Sequence, residues 1–148
     1  MRSETVGAGH LSRRVRGVGE VVSLGATLGL VGGLASFMNA KKDLVAYGVG
    51  PEWLVALIAV MGILAHVLAA DLVESIRLAL VGLAVGTVVH LVVWVSPLWI
   101  LPYPVGARDL LLPRMLGQAV TKGLPEFLIT FFAGYCAAVV VLSYFDPK

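Results

Sequence analysis

The hydropathy pattern divides the chain into four long apolar stretches separated by short polar segments. The stretches cover residues 20–38, 53–70, 76–100 and 124–145. A transmembrane helix needs about 20 mostly apolar residues, because each residue advances about 1.5 Å across a hydrocarbon core about 30 Å thick. The pattern therefore predicts an all-α integral membrane protein whose four transmembrane helices form one domain over residues 20–148.

Charged residues and prolines mark the ends of these stretches. The first stretch is followed by Lys41, Lys42 and Asp43, and Pro97 interrupts the aromatic end of the third. Asp71 and Glu74 have the spacing of a capping box, in which an N-cap side chain and the residue three positions later satisfy free backbone N–H groups. We therefore expect a tight turn at Asp71 and a separate third helix after it.

The first 19 residues are polar, basic and contain glycine, which predicts a flexible tail before the first span. Residues 12–14, Ser-Arg-Arg, are weakly similar to a twin-arginine export signal. Arg16 and Gly17 stand where that signal needs apolar residues, and three further predicted spans follow. An anchored first helix is therefore the preferred interpretation.

Residues 107–122 show a shorter, amphipathic pattern between the third and fourth stretches. Apolar residues at helical spacing form one face: Leu111, Leu112, Met115, Leu116, Ala119 and Val120. Polar residues form the opposite face: Arg108, Arg114, Gln118, Thr121 and Lys122. This division is typical of a short helix that lies in the membrane interface. Pro125 then suits the first turn of the fourth span.

Composition supports a multi-pass protein of the cell membrane. The chain has 148 residues, of which 59% are hydrophobic and 14% charged, whereas about a quarter of a soluble domain is charged. These values exclude a disordered or nucleic-acid-binding chain, and the excess of Val over Ile and Arg over Lys hints at a prokaryotic source. Four spans place both termini on one side, and the cations before the first span favour the cytoplasm.

Glycines recur at i+4 spacing within the spans. Helices in lipid associate through small residues, because these let the backbones approach closely. The predicted packing positions are Gly25, Gly29, Gly33, Gly82, Gly86 and Gly134. The first three make a double GxxxG pattern, which is compatible both with packing inside one chain and with self-association.

Three ionisable residues fall on the same faces as the small residues. His66, His90 and Glu126 are therefore candidates for a polar core or a transport path, since intramembrane ionisable groups are often functional. One interpretation is neutral histidines that hydrogen-bond between helices. A second is a water-filled proton or ion path. A haem or metal site held by both histidines of one chain is disfavoured, because the two are predicted at different depths. A symmetric dimer that pairs His90 with His90 stays open.

No catalytic, cofactor or metal-binding motif appears, and the only cysteine, Cys136, is interpreted as a packing residue. We therefore expect a non-enzymatic structural, scaffold or accessory subunit of a membrane complex. The alternative is a small oligomeric transporter or channel that uses His90 and Glu126. The expected partners are the lipid bilayer and either a second copy or another membrane protein. No nucleic-acid partner is expected, and no soluble substrate is indicated.

Overall fold

The computed structural model describes residues 5–41 and 50–145, and the side chains of residues 17–41, 50, 52–104 and 106–145 among them. Every regular element in these ranges is helical. The helices are α1 (Thr5–Ala40), α2 (Pro51–Val67), α3 (Leu72–Val95), α4 (Pro97–Ile100), α5 (Val105–Gln118) and α6 (Leu124–Phe145). A π turn over Ala119–Gly123 joins α5 to α6. The all-α prediction is confirmed for this part of the chain.

Three helical segments are long and apolar enough to cross a membrane. They are Gly17–Ala40, Leu72–Ile100 and Gly106–Phe145. The apolar segment of α2, Glu52–Val67, is shorter. The predicted count of four spans is therefore not confirmed by length. The difference arises because residues 68–70, predicted as the end of span two, form the turn that leads into α3.

The helix α1 begins well before the predicted start of the first span. It starts at Thr5, inside the segment predicted as a flexible tail, and residues 1–4 lie outside the described residues. A helix pairs its backbone groups internally, so it can continue beyond its apolar part. Of the predicted boundary residues, Lys41 directly follows the end of α1 at Ala40, and Lys42 and Asp43 lie outside the described residues.

The turn before α3 is confirmed. Asp71 is the N-cap of α3, and its carboxylate accepts a hydrogen bond of 2.7 Å from the backbone N–H of Glu74. The Glu74 carboxylate in turn accepts a bond of 2.8 Å from the backbone N–H of Ala70. These reciprocal bonds satisfy N–H groups that a helix start leaves free, and they fix where α3 begins.

A separate interfacial helix over 107–122 is not confirmed, because the chain stays helical from Val105 to Phe145. The sequence prediction placed a break before Pro125, since proline clashes with the carbonyl four residues earlier in a regular α-helix. The π turn ends just before this proline, and its wider ring of hydrogen bonds relieves such a clash. The helix therefore passes through a position that the sequence marks as a break.

The helices α1 and α3 form the most extensive pair and run in the same direction. Gly25 lies beside Val81 near one end of the pair, and Phe37 packs edge-on against Trp94 near the other. The contacts therefore advance together along both helices.

The helix α6 runs opposite to α3. Gly123 lies beside His90, and Phe131 lies beside Gly82. The helix α2 packs mainly against α6 and also contacts α1. Since α1 points one way and α6 the other, α1 begins and α6 ends toward the same end of the bundle.

Backbones approach very closely at glycines in both main helix pairs. A Cβ atom on Gly29 of α1 would overlap the carbonyl oxygen of Gly82 on α3. In the second pair, a Cβ atom on Gly62 of α2 would overlap the carbonyl oxygen of Phe131, and one on Gly134 of α6 would overlap that of Ala59. These glycine faces are therefore occupied by helices of the same chain.

Two aromatic side chains fill the middle of the bundle. Phe127 and Phe131 of α6 are fully buried, and their rings lie 5.8 Å apart. They pack against Gly86 and Gly82 of α3, where no side chain competes for the space. Outside this core many large apolar side chains are exposed, among them Leu30, Leu80, Val88, Ile129 and Val140. Such a surface suits contact with lipid, because soluble proteins seldom expose apolar patches of this extent.

Candidate functional site

Three polar side chains meet at the end of the bundle where α3 begins. The Nδ1 atom of His66 lies 2.8 Å from the hydroxyl oxygen of Ser75, which donates a hydrogen bond of 3.2 Å to the hydroxyl of Tyr135. The rings of His66 and Tyr135 also pack edge-on, 6.2 Å apart. This group, called the His66 cluster, links α2, α3 and α6 through bonds made within the chain.

A second polar group lies toward the opposite end. It consists of Ser36 and Asn39 of α1, His90 and Trp94 of α3, Gly123 of the π turn and Glu126 of α6. We call these six residues the His90 cluster. The rings of His90 and Trp94 lie 5.4 Å apart, one helical turn from each other along α3. Gly123 faces His90 so closely that a Cβ atom there would overlap the ring.

The His90 cluster differs from the His66 cluster because several of its buried polar atoms have no hydrogen-bond partner among the described residues. These atoms are both ring nitrogens of His90, the indole nitrogen of Trp94 and the side-chain oxygen of Asn39. The three residues are 0%, 2% and 4% exposed. An unsatisfied buried polar group typically costs about 1–3 kcal/mol, so a compact bundle does not collect several without a compensating interaction.

Hydrogen bonds from α1 to the π turn and to α6 join members of this cluster. The side-chain amide of Asn39 donates a hydrogen bond of 2.7 Å to the carboxylate of Glu126. Three positions before Asn39, the hydroxyl of Ser36 donates a longer bond of 3.4 Å to the carbonyl of Gly123 in the π turn. Glu126 itself is exposed, so the cluster reaches from the surface of the bundle to a buried histidine.

A lysine covers the cluster at the end of α1. The ammonium of Lys41 lies 4.8 Å from the centre of the Trp94 ring, within the range of a cation–π interaction. Phe37 packs edge-on against the same ring at 5.9 Å. Together these contacts hold the indole in one position beside His90.

The π turn shapes the other side of the cluster. Its wider ring is closed by the hydrogen bond from the backbone N–H of Leu124 to the carbonyl of Ala119. Backbone groups of Ala119 and Gly33 face the His90 ring, although neither meets hydrogen-bond geometry with it. π turns inside α-helices occur frequently at functional sites, which makes this end of the bundle the stronger candidate.

The structure brings His90 and Glu126 into one cluster but leaves His66 apart. Ser75, the partner of His66, and His90 are fifteen positions apart on α3, which corresponds to about 22 Å along the helix. Phe127 and Phe131 fill the level between them. The two histidines therefore cannot share one iron or metal ion, and no group of three His, Cys, Asp or Glu residues suited to a metal occurs in the part of the chain described.

Sequence reasoning did not single out Asn39, Trp94 or Tyr135 as members of a polar site. A signal for Trp94 exists, because it follows His90 by four positions on the same helix face. Asn39 follows Ser36 by three positions in the same way. No protein-family model, no curated protein and no solved structure matches this chain.

Proposed function

We propose that this chain is a small multi-pass membrane protein that serves as a non-enzymatic structural or accessory subunit of a membrane complex. The observation that carries the proposal is the filled interior of the bundle. Phe127 and Phe131 are fully buried between the helices at the level that separates the two polar clusters. A chain built this way presents an apolar outer surface to lipid or to a partner, and its described residues form no polar route from one cluster to the other.

We further propose that α2 crosses the membrane as a fourth span. Its 17 residues measure about 26 Å, which is at the lower end of the length that a spanning helix needs. Packing of α2 against both α1 and α6 supports this placement. Four spans put both termini on one side, and the cations before the first span favour the cytoplasmic side.

The polar part of the last helical segment is proposed to lie at the membrane interface. Residues Gly106–Phe145 form a segment of 40 residues, about 60 Å long and about twice the hydrocarbon thickness. Its charged residues, which a membrane interior disfavours, are concentrated toward the N-terminal end: Arg108, Asp109, Arg114, Lys122 and Glu126. The α5 half therefore suits the headgroup region, and the α6 half suits the hydrocarbon core.

Native mass spectrometry of the protein extracted from its source membrane in lipid nanodiscs tests the subunit proposal. We expect a complex of defined stoichiometry with another membrane protein or with further copies of the chain. A chain that is monomeric at every extraction condition contradicts the proposal.

A proton or ion transporter is the second candidate, and the unpartnered His90 beside Glu126 is the observation that favours it. Histidine titrates near neutral pH and can pass protons between water molecules. The buried Phe127 and Phe131 argue against transport through one chain, because they separate His90 from the His66 cluster. Transport would then need a path between copies.

A further inference from the structure

We infer that the His90 cluster is a reversible proton-binding site, hydrated from the Glu126 side of the bundle and closed toward the other end. The ligand class is water together with the proton that water delivers. This inference goes beyond the proposed subunit role and does not depend on it. The subunit role rests on the packing of the bundle, whereas the proton-binding site rests on the polar atoms around His90.

The first argument is the chemistry of the unpartnered atoms. The indole nitrogen of Trp94 is a donor, the side-chain oxygen of Asn39 is an acceptor, and a neutral His90 offers one donor and one acceptor. Water donates and accepts with equal ease, so it can complete a mixed set of this kind. Buried water molecules in proteins occupy such sites, where they make about three hydrogen bonds each.

The second argument is size. Gly123 lies so close to the His90 ring that even a methyl group on its Cα atom would overlap the ring. Trp94 packs on the same ring at 5.4 Å, and Phe37 and Lys41 hold Trp94 in turn. These contacts pack the ring closely on two sides, so an organic ligand does not fit beside it.

The third argument is access from the surface. Glu126 is exposed, and its carboxylate accepts the hydrogen bond of Asn39, whose other polar atom is buried and free of protein partners. Glu126 follows Gly123, the neighbour of His90, by three positions, which corresponds to about 4.5 Å along α6. This spacing places Glu126 within one helical turn of the neighbour of His90, so water molecules can bridge the carboxylate and the imidazole.

The proton balance is simple. A proton from the bulk solvent passes through Glu126 or its bound water to a free ring nitrogen of His90, which forms an N–H bond and becomes imidazolium. The proton leaves by the same route, because Phe127 and Phe131 close the other side. The site thus gains and loses one positive charge without moving a proton across the membrane.

Several charged groups belong to the elements around this end of α3. They are Lys41 just after α1, Glu52 of α2, Arg108, Asp109 and Arg114 of α5, Lys122 of the π turn and Glu126 of α6. Among these groups, the Glu126 carboxylate is hydrogen-bonded to Asn39 of the cluster. Its negative charge offsets the positive charge of a His90 imidazolium. Lys41 lies on the Trp94 ring and opposes a second positive charge.

Solid-state NMR of protein labelled with ¹⁵N-histidine in lipid bilayers tests the inference. The chain has three histidines, and single His→Gln variants assign their signals. We expect magnetisation transfer from water to the ring nitrogens of His90, and a reversible change from neutral imidazole to imidazolium between pH 9 and pH 4. A His90 signal with no transfer from water and one protonation state throughout this range overturns the inference.

Substitution of Asn39 tests the side from which water enters. Asn39→Leu keeps the approximate size but removes both polar atoms, so we expect at least a twofold loss of water transfer to His90. The signal of His66, at the other end, is the internal control and should not change. Equal transfer in both proteins contradicts entry past Asn39.

Glu126→Gln provides a second variant if Asn39→Leu does not fold. Glutamine retains an oxygen that accepts the bond from Asn39, but it does not carry a proton near neutral pH. We expect proton exchange at His90 to slow at least tenfold, while the fold is retained. An unchanged exchange rate overturns the proposed route through Glu126.

Discussion

His66 and His90 are both buried in one small bundle, yet their surroundings differ. His66 is hydrogen-bonded to Ser75, and Ser75 to Tyr135, so that cluster joins three helices. His90 has no hydrogen-bond partner among the described residues and packs on Trp94. The hydrogen bonds around His66 stabilise the fold, whereas the unpartnered polar atoms around His90 are available to bind another molecule.

The hydrogen bonds of Ser75 should contribute modestly to stability. Ser75→Ala removes the oxygen shared by His66 and Tyr135, and we expect the free energy of unfolding to fall by about 0.6 kcal/mol and by at most about 1.7 kcal/mol. Ser143→Ala is the control, because Ser143 bonds only a carbonyl of its own helix at the surface. Unfolding in bicelles measures both. Equal losses in the two variants contradict an interhelical role for Ser75.

Gly123 should tolerate no larger residue. Gly123→Ala places a methyl group into the His90 ring, and we expect a loss of about 1–3 kcal/mol from overpacking. Gly117→Ala is the matched control, since a Cβ atom there meets nothing within 4 Å. The control should gain up to about 1 kcal/mol of helix stability. A neutral Gly123→Ala variant means that His90 moves freely and that its close packing is wrong.

Part of the candidate site could be predicted from residue type and spacing. His66, His90 and Glu126 stand out because ionisable groups are rare inside apolar stretches. Their partners could not be predicted, because Asn39 and Trp94 are ordinary residues for a span end and acquire a role only when α1, α3 and α6 meet.

At the scale of single elements, the close packing of the parallel helices α1 and α3 depends on glycines, which have no side chain to hold the backbones apart. Gly29 of α1 faces backbone atoms of Gly82 and Gly86 on α3. The i+4 spacing predicts that such glycines lie on one face, but it does not say which helix meets that face. Only the three-dimensional arrangement assigns the partner to α3 of the same chain.

Gly29→Ala tests this contact. The added methyl group meets backbone atoms, which cannot rotate away, so we expect a loss of about 1–3 kcal/mol in thermal or chemical unfolding. Gly19→Ala on the same helix adds the same group in open space and should be neutral or slightly stabilising. If the two variants unfold alike, the glycine face of α1 does not contact α3.

Element boundaries were the least predictable feature. The capping box at Asp71 and Glu74 gave the start of α3, because the signal is local and the bond forms within one turn. The continuity of α5 with α6 was missed, because Gly123 and Pro125 normally end a helix. The π turn that carries the helix past them has no recognisable sequence pattern.

For the whole molecule, the shared direction of α1 and α3 and the opposite direction of α6 support four crossings, with α2 returning the chain between α1 and α3. Thiol labelling in intact cells tests this topology in a Cys136→Ser background. Glu52→Cys and Leu68→Cys lie at the two ends of α2, so we expect only one of them to react with an impermeant reagent. Reaction of both from the same side contradicts a spanning α2.

Reporter fusions at residues 1 and 148 should give the same compartment.

We propose that this protein is a packed membrane subunit and not a conduit. Proton and ion flux into liposomes that contain the purified chain, measured from pH 5 to pH 8, tests it most directly. The filled level at Phe127 and Phe131 predicts no flux above that of empty liposomes. Flux that is present in the wild type and abolished by His90→Gln, with the fold retained, would contradict the account.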